Sequence, residues 1–245
     1  MNIESKLSLK IIKVVIYASL FVQILTTIIS WKGMYVKLDD KDKVLNDILY
    51  VENIVQIIES LFYVWIISGI NRLSSVTKRR YMDWTITTPL MLFTSIVFFY
   101  YQEKLEKNES SRINLVEFAK DNKENIIKIF IYNGLMLLFG YLGEEGIINK
   151  NIAISIGFIF FGLSFNLIYR EYAKKSRTGK KLFYVLFVLW SLYGISAFFG
   201  IKFKNLSYSI LDIISKNFYG LYIYYRILKI KSKRDMSDIY GQRII

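Results

Sequence analysis

Residues 206–225 read LSYSILDIISKNFYGLYIYY. Isoleucine, leucine, phenylalanine and tyrosine dominate, yet Asp212 and Lys216 sit near the middle. Extended to residue 228, the stretch reaches the roughly 20 residues that a helix needs to cross a bilayer. A charge inside such a segment is costly, so it marks function by default. Asp212 precedes Lys216 by four residues, one helical turn, which puts both on one face. Two readings follow. The pair is a structural salt bridge, or Lys216 is a desolvated amine used as a nucleophile, the chemistry that makes imines.

The rest of the chain is built in the same way. Of 245 residues, 53% are hydrophobic and 22% charged, and the mean hydropathy is +0.32. A soluble domain rarely averages out so apolar. Seven apolar segments are found at roughly 9–31, 46–71, 81–101, 125–143, 151–171, 182–200 and 206–228, each long enough for a transmembrane helix. With no cysteine and no histidine, a disulfide scaffold, thiolate metal sites, a Ser-His-Asp triad and the usual zinc sites are excluded. The net charge of +13 is carried by lysines and arginines between apolar segments, which points to membrane loops and not to nucleic acid. With the N-terminus outside, the inner segments hold 22 Lys and Arg and the outer ones 10, which favours N-outside and C-inside. The first apolar run has no A-x-A site, so no cleavable leader is expected. The polar connection 102–125 reads as a loop with a short helix around Leu115–Lys120.

Four motifs in four segments carry a resemblance. RYMDWTITTPL at 80–90 resembles the third-helix signature of the microbial (type 1) rhodopsins. LDIISK at 211–216 resembles their seventh helix, VLWSLYG at 188–194 their sixth, and NGLMLLFG at 133–140 the fourth-helix wall of their retinal pocket. The resemblance implies an all-α, seven-transmembrane-helix bundle. It implies that Lys216 carries all-trans retinal as a protonated Schiff base, with Asp83 as counterion and proton acceptor and Asp212 as second counterion. Arg80 lies on their outer side, and Tyr63 and Tyr193 hydrogen-bond Asp212. An opposite charge beside an iminium keeps it protonated. Trp84 and Trp190 sandwich the polyene, and Thr88, Met91, Asn133, Met136, Gly140, Phe161 and Tyr193 line the pocket.

Departures from the pattern narrow the function. A proton pump of this family usually has a carboxylic donor eleven positions after the acceptor, where this chain has Thr94. At the positions of two outer release glutamates stand Lys202 and Lys204. The sixth-helix proline is replaced by Gly194, and Ala197 replaces a tryptophan, leaving a roomier end to the pocket. The fourth-helix aspartate is Asn133, which pairs by position with Thr88. The second segment, LNDILYVENIVQIIESLFYVWII, instead places Glu52, Gln56 and Glu59 on one helical stripe, with Asn53 beside it. The alignment sets Glu59 beside the Schiff base and Glu52 about 10 Å further inward. Channelrhodopsins are similar here, with helix-two glutamates seven apart and an asparagine after the retinal lysine, in this chain Asn217. Their gate joins a helix-one serine, for which Ser19 is the candidate, to that glutamate and asparagine. Oxygen ligands along a path replace the water that a cation sheds. Structural, protonated glutamates, or Glu52 as a substitute donor, form the alternative.

The pattern is nearest to viral and algal channelrhodopsin-like proteins (viral rhodopsin group 1). It implies a non-enzymatic, light-gated channel for monovalent cations, modulated by calcium. The alternatives are an outward proton pump and a sensory photoreceptor with a separate transducer. The expected setting is an integral protein of the plasma membrane of a host cell, in contact with lipid, monovalent cations and protons, forming a homo-oligomer and binding no nucleic acid. Residues 1–230 form the rhodopsin domain and 231–245 a short basic cytoplasmic tail.

Overall fold

In the computed structural model, residues 7–242 are described, and side chains as far as residue 236. Lys6, counted above among the outer charges, and Arg243, counted in the tail, fall outside them. The described residues are helical, with no strand among them. The helices are α1 (Leu9–Trp31), α2 (Val44–Ser68), α3 (Leu73–Glu106), the short α4 (Leu115–Asp121), α5 (Lys123–Glu144), α6 (Lys150–Glu171), α7 (Arg177–Ala197), α8 (Ile201–Asp212) and α9 (Phe218–Gln242). Six of them (α1, α2, α3, α5, α6 and α7) are long and apolar enough to cross a membrane. Local signals set several starts. Ser8 accepts from the Ile11 amide, Asn114 from Val116, Asn149 from Asn151, and Ser176 from Gly179, each satisfying a first-turn donor.

The seventh segment differs from the continuous helix expected over 206–228. It folds as α8, then a π-helical turn at Ile213–Asn217, then α9. A π turn adds a residue to one turn of helix and is frequent at functional sites. Here it holds Ser215, Lys216 and Asn217, all buried. The third segment also runs longer than 81–101. Its polar first turns stay helical because Lys78 pairs with Glu145 at 2.6 Å, Arg79 bonds the Trp65 carbonyl and Arg80 pairs with Asp212. Helix α9 continues through residue 230 without a break.

The bundle is arranged for lipid and not for water. Val14, Tyr17, Phe21 and Ile28 of α1 face outward at 52–67% exposure, whereas Ser19, Gln23, Thr26 and Ser30 are buried. In a bilayer, outward apolar surface costs nothing, and helices associate through packing and polar contacts. Helix α3 is central, with 67% of its apolar window buried against 22–39% for the other five. One large apolar cluster, containing Ile96, Phe99, Phe165 and Ile223, fills the half of the bundle away from the N-terminal end of α1. A smaller one around Ile16, Tyr63 and Ile66 fills the half nearer it. The buried charges lie between the two.

Candidate functional site

Lys216, placed by the π turn, points into the centre of the bundle and is 2% exposed. Its Nζ donates to Asp83 Oδ2 of α3 at 2.9 Å and lies 3.1 Å from Glu59 Oε1 of α2 and 3.8 Å from Asp212 Oδ1. Three carboxylates from three helices therefore surround one nitrogen. Asp212 is the most firmly held of them. It accepts from Tyr63 at 2.7 Å, from Arg80 at 2.7 Å and from Tyr193 at 2.8 Å. Arg80 also donates to Ser209 Oγ at 2.7 Å and lies over the Tyr63 ring at 5.1 Å. Arg80 is thus on the N-terminal side of both aspartates, as the sequence pattern implies.

On the other side of Lys216 opens an apolar cavity. Trp84, Thr88, Met91, Met136, Gly140, Phe161, Trp190 and Tyr193 all line it, as does Lys216 at its end. Asn133 does not. It stands behind the wall and donates to Thr88 Oγ1 at 2.8 Å, coupling α5 to α3. Ala197 and Gly194 line the cavity too, and the Phe158 ring lies so close to Gly194 that a Cβ there would come within 2.5 Å of it. Tyr208, which the sequence reading missed, packs edge-on to Trp84 at 4.9 Å and stacks on Tyr193 at 5.8 Å. No contrast in composition marks Tyr208 or Phe158 in a chain with 19 tyrosines and 18 phenylalanines. A long apolar cleft ending at an amine, with carboxylates to balance a cation there, fits an apolar aldehyde bound as a cationic imine.

The acidic stripe of α2 is also buried. Glu52, Asn53, Gln56 and Glu59 are each at most 1% exposed. Glu52 accepts from Thr94, the residue found where a pump keeps its donor. The expected gate needs a correction. Ser19 does not meet Asn217, because its hydroxyl donates to the Val15 and Ser209 carbonyls at 2.9 and 3.0 Å. Two turns further along the same face, Thr26 donates to Asn217 Oδ1 at 2.6 Å, and Thr27 donates to Gln56 Oε1 at 2.9 Å. Ser30 donates to Asn53 at 2.5 Å. The signal for these was present as Ser19, Gln23, Thr26 and Ser30 at alternating steps of four and three, one face of a helix. Lys204 stands at the position of a release glutamate. It is buried and pairs with Glu144 at 2.5 Å.

The node is tightly packed. A Cβ on Gly220 would clash with Gln56 Nε2. Gly220→Ala is expected to push the Gln56 amide away from Thr27 and to cost about 1–3 kcal/mol, read as faster thermal loss of the visible absorption band. Wild-type stability in this variant would mean that Gln56 is free to move.

A buried lysine facing carboxylates at the end of an apolar cavity, inside a bundle of membrane-spanning helices, defines a chromophore-binding membrane protein. A model of the family described as bacteriorhodopsin-like protein matches residues 10–230, and the chain belongs to that family. The family's cofactor is all-trans retinal, held covalently on a lysine. The green-light absorbing proteorhodopsin of Gamma-proteobacterium EBAC31A08 is 26% identical over 183 residues, covering 66% of this chain and 64% of that protein. More than a third of that relative's length therefore lies outside the match. The crystal structure of viral rhodopsin OLPVRII superposes with a TM-score of 0.74 at 25% identity, covering 89% of this chain and 98% of that one. The blue light-absorbing proteorhodopsin from Med12 shares the fold, with a TM-score of 0.69 at 19% identity over 90% of this chain and 98% of that one.

Proposed function

We propose that this protein is a light-gated cation channel of the plasma membrane, with retinal attached at Lys216 and the N-terminus outside. The excess of basic residues on the opposite face supports that orientation. One observation carries the channel reading: buried polar side chains follow one another between α1, α2, α3 and the seventh segment. Arg80, Ser209 and Ser19 begin the series, Asp212, Asp83 and Glu59 continue it, and Gln56, Thr26 and Asn217 lead on to Ser30 and Asn53. Buried polar groups are costly unless satisfied, so a chain selected only for a bundle core would not string them along one helix interface.

Bound retinal supplies light absorption and a change of shape on isomerisation. The protein supplies the rest. Asp83, 2.9 Å from the Lys216 nitrogen, is placed to take its proton. Asp212, held by three donors, stays fixed and anchors Arg80. Once that nitrogen is neutral, Glu59 loses the cation that holds it and becomes an oxygen ligand on the path. The contact of Thr26 with Asn217 is then the constriction that must part, and the conformational equilibrium shifts because the moved proton interacts differently with the closed and open states.

The buried Glu52–Thr94 pair favours a second reading, an outward proton pump. It is a carboxyl and a hydroxyl across α2 and α3, where a proton could be stored for return to Lys216. Photocurrent against voltage separates the two in cells supplied with all-trans retinal. Reversal near the cation equilibrium potential, moving when external sodium or potassium is exchanged, is the expected result. A current that stays outward at every voltage replaces the channel by the pump.

A further inference from the structure

The contacts described so far leave one member of the α1 stripe unexplained. Gln23 is completely buried, and neither atom of its amide has a partner among the described residues. Its neighbours on that face all bond across the bundle: Ser19 to Ser209, Thr26 to Asn217, and Ser30 to Asn53. An unpaired amide at such depth is costly, so a role must offset it.

The register between α1 and α2 shows what Gln23 faces. The helices run antiparallel, and Thr27 meets Gln56 while Ser30 meets Asn53. Three residues forward on α1 thus match three residues back on α2. Taken the other way, one turn back from Thr26 and Thr27 reaches Gln23, and one turn on from Gln56 reaches Glu59. Gln23 therefore stands level with Glu59. The Glu59 carboxylate touches Lys216 Nζ at 3.1 Å and accepts no hydrogen bond from any other described residue. Two side chains with unspent oxygens thus share one level, beside the nitrogen whose charge changes in light.

We propose that Gln23 and Glu59 form a coordination station for a dehydrated monovalent cation, occupied when the Lys216 nitrogen is uncharged. This rests on the channel reading. While that nitrogen carries its charge, it repels a second cation beside Glu59. When the proton has moved to Asp83 the net charge of the cluster is unchanged, but Glu59 no longer faces an ammonium at 3.1 Å, and a metal ion takes that place beside its carboxylate. The amide supplies an oxygen without adding charge. A site of one carboxylate and neutral oxygens binds firmly enough to admit an ion and weakly enough to release it. A calcium ion asks for six to eight oxygens, commonly several of them carboxylates, so the station selects monovalent ions.

The test uses Gln23→Leu, which keeps the bulk and removes the oxygen, and Gln23→Asn, which keeps the oxygen on a shorter stem. A normal visible band shows that each variant is folded and loaded. Two quantities are read: the sodium-to-potassium permeability ratio from reversal potentials, and recovery of the visible band after a flash in sodium, potassium or N-methylglucamine chloride. Gln23→Leu is expected to change the ratio about two- to tenfold, the worth of one oxygen contact, and to erase the difference in recovery between sodium and N-methylglucamine. Gln23→Asn is expected to fall between. If the ratio and the recovery are both unchanged, the station is discarded and the channel stands. If the wild-type current never reverses, the channel reading fails and recovery alone decides. Cation dependence lost in Gln23→Leu keeps the station, and identical recovery in both proteins discards it.

Discussion

Lys216→Ala protein, expressed in full and mixed with all-trans retinal, shows no visible absorption band. The expectation rests on the nitrogen itself. Lys216 is the one basic side chain at the cavity's end, and an imine requires a primary amine. Removing it also leaves Asp83 and Glu59 without the cation that faces both, so loss of the band could follow from misfolding alone. Lys216→Arg separates the causes. A guanidinium keeps the positive charge opposite the carboxylates but is no nucleophile at neutral pH. Lys216→Arg is therefore expected to give a helical, monodisperse protein that is colourless with retinal. A retinal band persisting in either variant removes Lys216 as the attachment point and, with it, the roles given to Asp83 and Glu59.

Much of this site could be read from the chain because the bilayer makes charge conspicuous. Asp83, Asp212 and Lys216 stand out in apolar segments, and the motif around each fixes its depth. The structure duly brings both aspartates within 3.8 Å of the Lys216 nitrogen. Glu59 was placed by aligning LFYVW of the second segment with the family, and Tyr63 and Tyr193 by position; Glu59 lies 3.1 Å from Lys216 Nζ, and both tyrosines donate to Asp212. What the sequence hid has two physical causes. The first is the backbone: the π turn at Ile213–Asn217 leaves no mark in composition, so the seventh segment read as one helix. The second is register. Helix α1 has no charge in its middle, and Ser19 and Thr26, two turns apart on one face, were equally good partners for Asn217 until α8 and α9 were placed beside them. Hydroxyls and aromatic rings in a membrane helix are too common to announce a role, and only their neighbours assign one.

Asp212→Asn is expected to lower stability by about 3–5 kcal/mol, the cost of leaving a buried charge without its partner. Arg80 and Asp212 are both fully buried and 2.7 Å apart. The carboxylate has four acceptor sites, and three of them are filled from α2, α3 and α7, through Tyr63, Arg80 and Tyr193. An asparagine keeps one oxygen but turns an NH2 group toward at least one of those donors, and Arg80 retains only the hydroxyls of Tyr63 and Ser209. An exposed pair sets the scale: Lys43 and Asp40 are 46% and 72% exposed, so Asp40→Asn is expected to leave the stability close to that of the wild type, since solvent screens the pair. The rate of thermal loss of the visible band, compared across both variants, reads the difference. Arg80→Gln combined with Asp212→Asn supplies the decisive arm. If the ion pair is what matters, the double variant loses less than the two single losses added together, since removing Arg80 removes the charge that Asp212 was needed to balance. Losses that simply add would mean that Asp212 acts through its tyrosines and that Arg80 finds another counterion, for which Asp83 is the nearest candidate on α3.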